Sequence, residues 1–324
     1  MMDLLIVGAG PIGLEAAIQA KRAGLSYRVF EKGALVEAIY RYPTYMTFFT
    51  TAERLEIGGH PFVTATDKAT RKEALDYYRK VVKAEDLAVE PYSEVTHMER
   101  TPRGFRVTIT PGRGEPYEVE ARRVALATGY FDNPNLLGIP GEDLPQVSHA
   151  FDEGHGWYDR NVVIVGAGSS AADAALELHR AGAKVTMLHR GADFKPTLKY
   201  WIRPNLENRV KEGAIQAHFH TTIERITADA VEARQGGELH TFPAERVYLL
   251  TGYHASTHLL DLMGAERDPV TLAATLDEHY QTSVPGLYAI GSAGFGRRTS
   301  EVFIENGLLH AQAMVAQLSM TPVG

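Results

Sequence analysis

Two glycine-rich hexads, Gly8-Ala9-Gly10-Pro11-Ile12-Gly13 and Gly166-Ala167-Gly168-Ser169-Ser170-Ala171, each follow a short apolar run and precede a stretch with helical spacing. In such a turn the first glycine permits a tight bend and the second lets the backbone approach a diphosphate. The third lets helix and strand pack closely, with the helix N-terminus facing the negative charge. Ala171 stands in the third place of the second hexad, where the residue has only to be small. Each hexad reads as a dinucleotide cradle. Glu31 closes the strand after the first hexad, at the spacing where an acid accepts hydrogen bonds from a ribose diol, with Lys32 beside it. At the equivalent place after the second hexad stand His189 and Arg190, cations suited to a 2′-phosphate, with Lys195 or Lys199 able to assist.

The elements that must hold these residues follow from the hydrophobic pattern. Residues 3–7 read as a buried strand, 12–23 as a helix closed by Gly24, and 27–30 as the next strand, which opens a parallel doubly wound sheet. Residues 34–66 interleave aromatics and threonines with Pro43 and Pro61, so they read mainly as a loop lining a site, and 72–83 as a helix. Residues 94–99 and 105–110 suit a β-hairpin, with a third strand at 117–120 and a separate buried strand at 123–128. Residues 134–156 are rich in Pro and Gly and suit a linker. The second unit repeats the first, with a strand at 162–165, a helix at 170–180 and a strand at 184–188. Further strands fit 215–220, 230–234 and 247–250. A strand at 287–290 and a helix from about 299–301 to 318 would return the chain to the first sheet.

The expected fold is thus α/β, with two Rossmann-like dinucleotide-binding domains of three layers, one inserted into the other. Residues 1–130 and 250–324 would form the first domain and 131–249 the second.

Composition narrows the chemistry. The 324 residues suffice for two cores, and the net charge of −7 without long blocks of one sign argues against a nucleic acid or an anionic membrane as partner. The short apolar run before Gly8 is neither a signal peptide nor a membrane span, which suggests a cytoplasmic protein. Cysteine is absent, so disulfides, thiolate metal ligands and thiol nucleophiles are excluded. Two dinucleotide cradles in one chain imply a flavin held in one and a nicotinamide exchanged in the other, FAD in the first and NADPH in the second. Tyr40, Thr47, Thr128, Gly129, Gly252 and Gly291 join the hexads as candidate cofactor contacts. Arg297 and Arg298, just ahead of the last helix, are candidates to stabilise a reduced flavin or to bind an acidic thiol substrate. His149, His155 and His254 follow no metal-ligand spacing, and no metal is expected.

The order of the first hexad, Ala127-Thr128-Gly129, the second hexad, His189-Arg190 and Thr251-Gly252 is similar to that of the thioredoxin reductase-like flavoproteins and spans nearly the whole chain. More narrowly, Ile39-Tyr40-Arg41-Tyr42-Pro43-Thr44-Tyr45-Met46-Thr47-Phe48-Phe49-Thr50-Thr51, the stretch 53–58 and Phe303-Ile304-Glu305-Asn306-Gly307 resemble the bacillithiol disulfide reductase, or bacilliredoxin reductase, family. The resemblance implies a flavoprotein that uses NADPH to return bacillithiol disulfide to the thiol. Three departures qualify it. The segment 147–154 lacks the Cys-x-x-Cys pair of thioredoxin reductase. Ile12 stands where family members often carry a cysteine. Arg297 and Arg298 stand where a related flavoprotein usually places an Asp against the flavin.

A disulfide would then have to meet the flavin directly. A ferredoxin or flavodoxin reductase of the same architecture also needs no cysteine, and its partner would be a small redox protein. A flavin-dependent monooxygenase and a non-catalytic redox sensor are the remaining readings. A homodimer is the default assembly.

Overall fold

In the computed structural model, whose described residues are 1–320, the chain begins with strand β1 (Met2–Val7), helix α1 (Pro11–Arg22) and strand β2 (Tyr27–Phe30). The single turn α2 (Glu37–Tyr40) interrupts the long aromatic loop, and α3 (Arg71–Ala84) follows it. Thr70 and Glu73 set the start of α3 with a reciprocal capping box. Then come β3 (Val89–Glu90), β4 (Ser93–Thr101), β5 (Gly104–Pro111) and β6 (Tyr117–Leu126). The last of these corrects the sequence reading. One unbroken strand replaces the two expected at 117–120 and 123–128. Its first half pairs antiparallel with β5, whereas its second half runs parallel to β1.

Residues 134–252 form a second unit, beginning with β7 (Val147–Ser148), β8 (Asn161–Val165), α4 (Ser169–Arg180) and β9 (Lys184–Leu188). Helix α5 (Arg203–Lys211) and strand β10 (Ile215–His218) follow, and then β11 (Thr221–Ile226), β12 (Ala230–Gln235), β13 (Glu238–Pro243) and β14 (Arg246–Leu249). Five strands make a parallel sheet in the order β10-β9-β8-β14-β7, and β11-β12-β13 form a separate antiparallel sheet. The stretch 134–156 is therefore no linker. It belongs to this unit and supplies β7 as an edge strand on β14.

The chain then re-enters the first unit, which comprises residues 1–133 and 253–324, as α6 (His258–Leu262), β15 (Leu287–Ala289) and α7 (Ile304–Met320). Strand β15 pairs with the end of β6, so the return of the chain to the first sheet is as expected. Helix α7 starts later than expected. The Phe303 N–H donates to Asn306 Oδ1 at 2.7 Å, and Asn306 Nδ2 donates to the Glu301 carbonyl at 2.8 Å, so the first turn is closed at 303 and not at 299.

The parallel strands at the centre of each unit are covered on two faces, as their near-continuous apolar sequences require. In β1, Leu4 and Ile6 face the core made with α1, α3 and α7, while Leu5 and Val7 face the one made with β4, β5 and α6. In β8, Val162 and Ile164 face α4 and α5, while Val163 and Val165 face the antiparallel sheet. Each such side chain contributes roughly 1.5–3 kcal/mol by leaving water.

Two buried polar groups tie α7 into the first unit. Glu15 of α1, only 1% exposed, accepts from Gln19 Nε2 at 2.8 Å, Gln312 Nε2 at 2.9 Å and the Gly58 N–H at 2.6 Å. His310 is stacked on Tyr280, with ring centroids 3.8 Å apart, and its Nδ1 accepts the Gly291 N–H at 3.2 Å. That bond leaves the proton of the neutral ring on Nε2.

Replacing Glu15 with Ala strands three donors, at about 1–3 kcal/mol for each one left unsatisfied. The melting temperature of E15A should fall by several degrees, and E15Q should recover part of the loss. His310 gives a pH dependence. Burial pulls its pKa from 6.5 down to about 4. Between those values the unfolded chain binds a proton that the folded protein refuses, so stability is full above about pH 6.5 and declines toward pH 4. Thermal melts across this range should show a flatter acid limb for H310N, which keeps an acceptor for Gly291 but does not titrate.

Candidate dinucleotide cradles

The two hexads are built alike. Gly8 and Gly166 sit at φ of +107° and +138°, and a Cβ on either would collide with the residue just past a neighbouring strand, 2.5 Å from the carbonyl oxygen of Ala127 after β6 and 2.4 Å from that of Leu250 after β14. Only glycine meets both demands. A Cβ on Gly13 would lie 2.0 Å from the Gly8 carbonyl oxygen, so α1 rests directly on the turn. Ala171 is buried, and its Cβ lies 3.5 Å from the Cβ position of Gly166, which is ordinary contact.

The middle glycines differ from their neighbours. A Cβ on Gly10 would meet nothing within 4 Å, and one on Gly168 only Lys195 Cδ at 3.8 Å. Both are the N-cap residues of their helices, neither of which has a side-chain cap or an acidic residue in its first turn. Open space in front of uncapped, dipole-aligned N–H groups is what a diphosphate requires. The residues present therefore fit a dinucleotide in each cradle.

At the end of β2, Glu31 accepts from the Ala9 N–H and the Gly33 N–H, each at 2.8 Å. Burial raises its pKa, and these two bonds act against the rise. A carboxylate has about four lone-pair sites. Two are used here, which leaves capacity for ribose hydroxyls. Lys32 pairs instead with Asp132 at 3.0 Å, and Arg41 reaches the other oxygen of the same carboxylate at 2.5 Å. Asp132 was not singled out in the sequence, and only the fold shows that it gathers both cations.

At the end of β9, His189 is half-buried and Arg190 exposed. Burial lowers the His189 pKa, and the charges of Lys195 and Arg190 lower it further. Three basic side chains thus share this corner. Lys195 is drawn to the second hexad by its N–H, which donates to the Ala167 carbonyl at 3.0 Å, and the Lys199 N–H donates to Ser169 Oγ at 3.3 Å. Ser170 is exposed on the first turn of α4.

The remaining candidates fall into two groups. Thr128 and Gly129 follow the carbonyl that abuts Gly8, and Gly252 lies two residues after the carbonyl that abuts Gly166. Thr47 of the aromatic loop bridges to Thr70 at the start of α3, and the Tyr40 carbonyl accepts from Arg71 at 3.1 Å while its ring is exposed. Gly291, at φ +63°, would place a Cβ 2.7 Å from Ile12 Cδ1, so Ile12 packs against this turn. Arg297 and Arg298 are exposed and lie six or more residues ahead of α7, not just before it. Arg298 pairs with Glu301 at 3.4 Å. His310, behind Gly291, carried no sequence signal because its partners at 280 and 291 are distant in the chain.

Among the described residues no group of His, Cys, Asp and Glu is arranged to hold a metal, and no helix is long and apolar enough to cross a membrane.

Residues 5–291 match the family model for pyridine nucleotide-disulphide oxidoreductases. The chain is 40% identical over 319 residues to bacilliredoxin reductase Bdr of Bacillus subtilis, covering 97% of each chain. Its fold matches the bacillithiol disulfide reductases Bdr of Bacillus cereus and Staphylococcus aureus with TM-scores of 0.96 and 0.91, each at 38% identity and over 98% of both chains. The family uses a flavin and a pyridine nucleotide. With two built cradles and these matches along its length, the chain belongs to the pyridine nucleotide-disulphide oxidoreductases and, within them, to the bacilliredoxin reductase family of enzymes.

Proposed function

We propose that this protein is an NADPH-dependent FAD oxidoreductase that reduces bacillithiol disulfide, with FAD in the first cradle and NADPH in the second. The balanced reaction is one disulfide, one NADPH and one proton giving two thiols and NADP⁺. When bound, a flavin supplies two-electron transfer between a pyridine nucleotide and a disulfide.

The chain's own residues have defined tasks in this reading. Gly8, Gly10 and Gly13 with Glu31 hold the first dinucleotide by its diphosphate and ribose, and Gly166, Gly168 and Ser169 receive the diphosphate of the second. His189, Arg190 and Lys195 select the phosphorylated ribose by charge. Thr47, Thr128, Gly129 and Gly291 line the first site, Gly252 the second. Arg297 and Arg298 offer cations to an anionic flavin edge or to an acidic substrate. The molecule would act in the cytoplasm as a homodimer.

The observation that carries the proposal is the pairing of two open cradles of opposite flanking charge in a chain without cysteine. The acid Glu31 suits a free ribose diol and the basic corner suits a 2′-phosphate. The substrate is suggested by the names of the relatives that match most of the chain.

Mixing the yellow holoenzyme anaerobically with NADPH should bleach its visible absorbance, and bacillithiol disulfide should restore it with turnover. Loss of the proposal would follow from rapid NADPH oxidation with ferredoxin and none with the disulfide. Arg190→Ala should raise the KM for NADPH about tenfold, the equivalent of one charge-assisted contact, and leave the KM for NADH nearly unchanged.

A further inference from the structure

Between β9 and α5 the chain forms a strap, residues 193–202, that lies over the start of α4. Three buried side chains, Phe194, Leu198 and Ile202, pin it to the core of the second unit. Its turns are closed by the Leu198 N–H on the Lys195 carbonyl at 2.9 Å and the Ile202 N–H on the Lys199 carbonyl at 3.0 Å. Arg203 braces it from α5, with Nη2 donating to the Phe194 carbonyl at 3.2 Å. A segment so tied has a fixed backbone.

What it presents is unusual for a surface loop. Lys199 lies against the first residue of α4 through the bond from its N–H to Ser169 Oγ at 3.3 Å. Its ammonium lies 5.5 Å from the centre of the Trp201 ring, and Trp201 in turn packs edge-on against Tyr200 at 5.0 Å. Yet Trp201 and Tyr200 are 51% and 81% exposed, so neither ring serves the core. Two further charged side chains face this place: Lys195, whose Cδ lies 3.8 Å from the Cβ position of Gly168, and Asp173, one turn into α4, whose pKa is raised by burial and drawn back by Lys199 and Arg180. A carboxylate there opposes a second anion at the helix start, and Lys199 offsets it.

We propose that Lys199 is a side-chain ligand of the diphosphate of the pyridine nucleotide, and that Trp201 is the aromatic platform that orients its ammonium. This rests on the reading that the second cradle takes that nucleotide. It assigns the contacts by chemistry: Arg190 to the 2′-phosphate, which only NADP(H) carries, and Lys199 to the diphosphate, which NAD(H) shares.

The test is calorimetric titration of the oxidised holoenzyme with NADP⁺ and with NAD⁺, together with steady-state kinetics. For Lys199→Met the Kd for both nucleotides should rise about tenfold, the loss of one charged contact. The KM for NADPH should rise similarly while kcat at saturation is kept, and Lys199→Arg should restore most of the affinity. Trp201→Ala should weaken both nucleotides by about threefold. A Kd for K199M within twofold of the unmodified protein would overturn the proposal. So would a loss confined to NADP⁺, which would make Lys199 a ligand of the 2′-phosphate. If the unmodified protein binds neither nucleotide, the reading of the cradle fails first, and no variant is needed to show it.

Discussion

The close approach of two backbones governs both halves of this molecule. In each, the glycine turn after β1 or β8 passes so near the end of a neighbouring strand that the space for a side chain at Gly8 or Gly166 is taken by a carbonyl oxygen. That approach brings the next residues of the neighbouring strand, Thr128-Gly129 in one unit and Thr251-Gly252 in the other, beside the turn. Motifs more than eighty residues apart in the sequence thereby belong to a single structural unit. It also leaves the first N–H groups of α1 and α4 facing open space with no side chain to cap them. A helix start of this kind must find its partners in water or in an anion.

On that shared scaffold, charge separates the two cradles. Glu31 is held rigidly by two backbone N–H groups, so its remaining lone pairs point from a fixed carboxylate. The second unit has no such acid. It offers His189, Arg190 and Lys195, and the imidazole pKa is lowered by burial and further by the two neighbouring cations. A carboxylate in this corner would repel a 2′-phosphate, just as a cation at position 31 would leave the ribose hydroxyls without an acceptor. Such a contrast in charge needs no difference in backbone, only a few side chains at the ends of β2 and β9.

Much of this was legible from residue spacing. The hexads, the helices after them and the two-residue alternation of β4 and β5 all arise from local patterns. The failures have physical reasons. Strand β6 was split because hydrophobic pattern does not reveal that one strand changes from an antiparallel to a parallel neighbour at Ala121. Strand β13 was missed because most of its residues are exposed, so its pattern is polar. Two residues suffice for β7, too few to give a period. Helix α7 begins later than its pattern suggests, because Thr299 to Phe303 continues the polar and apolar sequence while Asn306 fixes the start by folding back on it. The strap over α4 had no signal beyond its lysines, since its shape depends on Phe194 and Leu198 reaching a core laid down by other elements.

The lack of cysteine acquires a structural meaning at position 12. Ile12 Cδ1 lies 2.7 Å and 2.4 Å from where side chains at Gly291 and Gly307 would begin, so the three residues form one packing unit that locks α1 to the turn before α7 and to α7 itself. A branched aliphatic chain fills that space, and the two glycines have given up their own side chains to admit it. The position therefore joins elements of the first unit and presents no redox group. With no thiol anywhere in the chain, protein sulfur cannot store electrons between the flavin and a disulfide. The chemistry available to the protein itself is therefore that of oxygen, nitrogen and aromatic side chains. In the same unit Phe49 of the aromatic loop and Phe303, just ahead of α7, pack edge to face at 5.9 Å, so this loop too is joined to the start of the last helix.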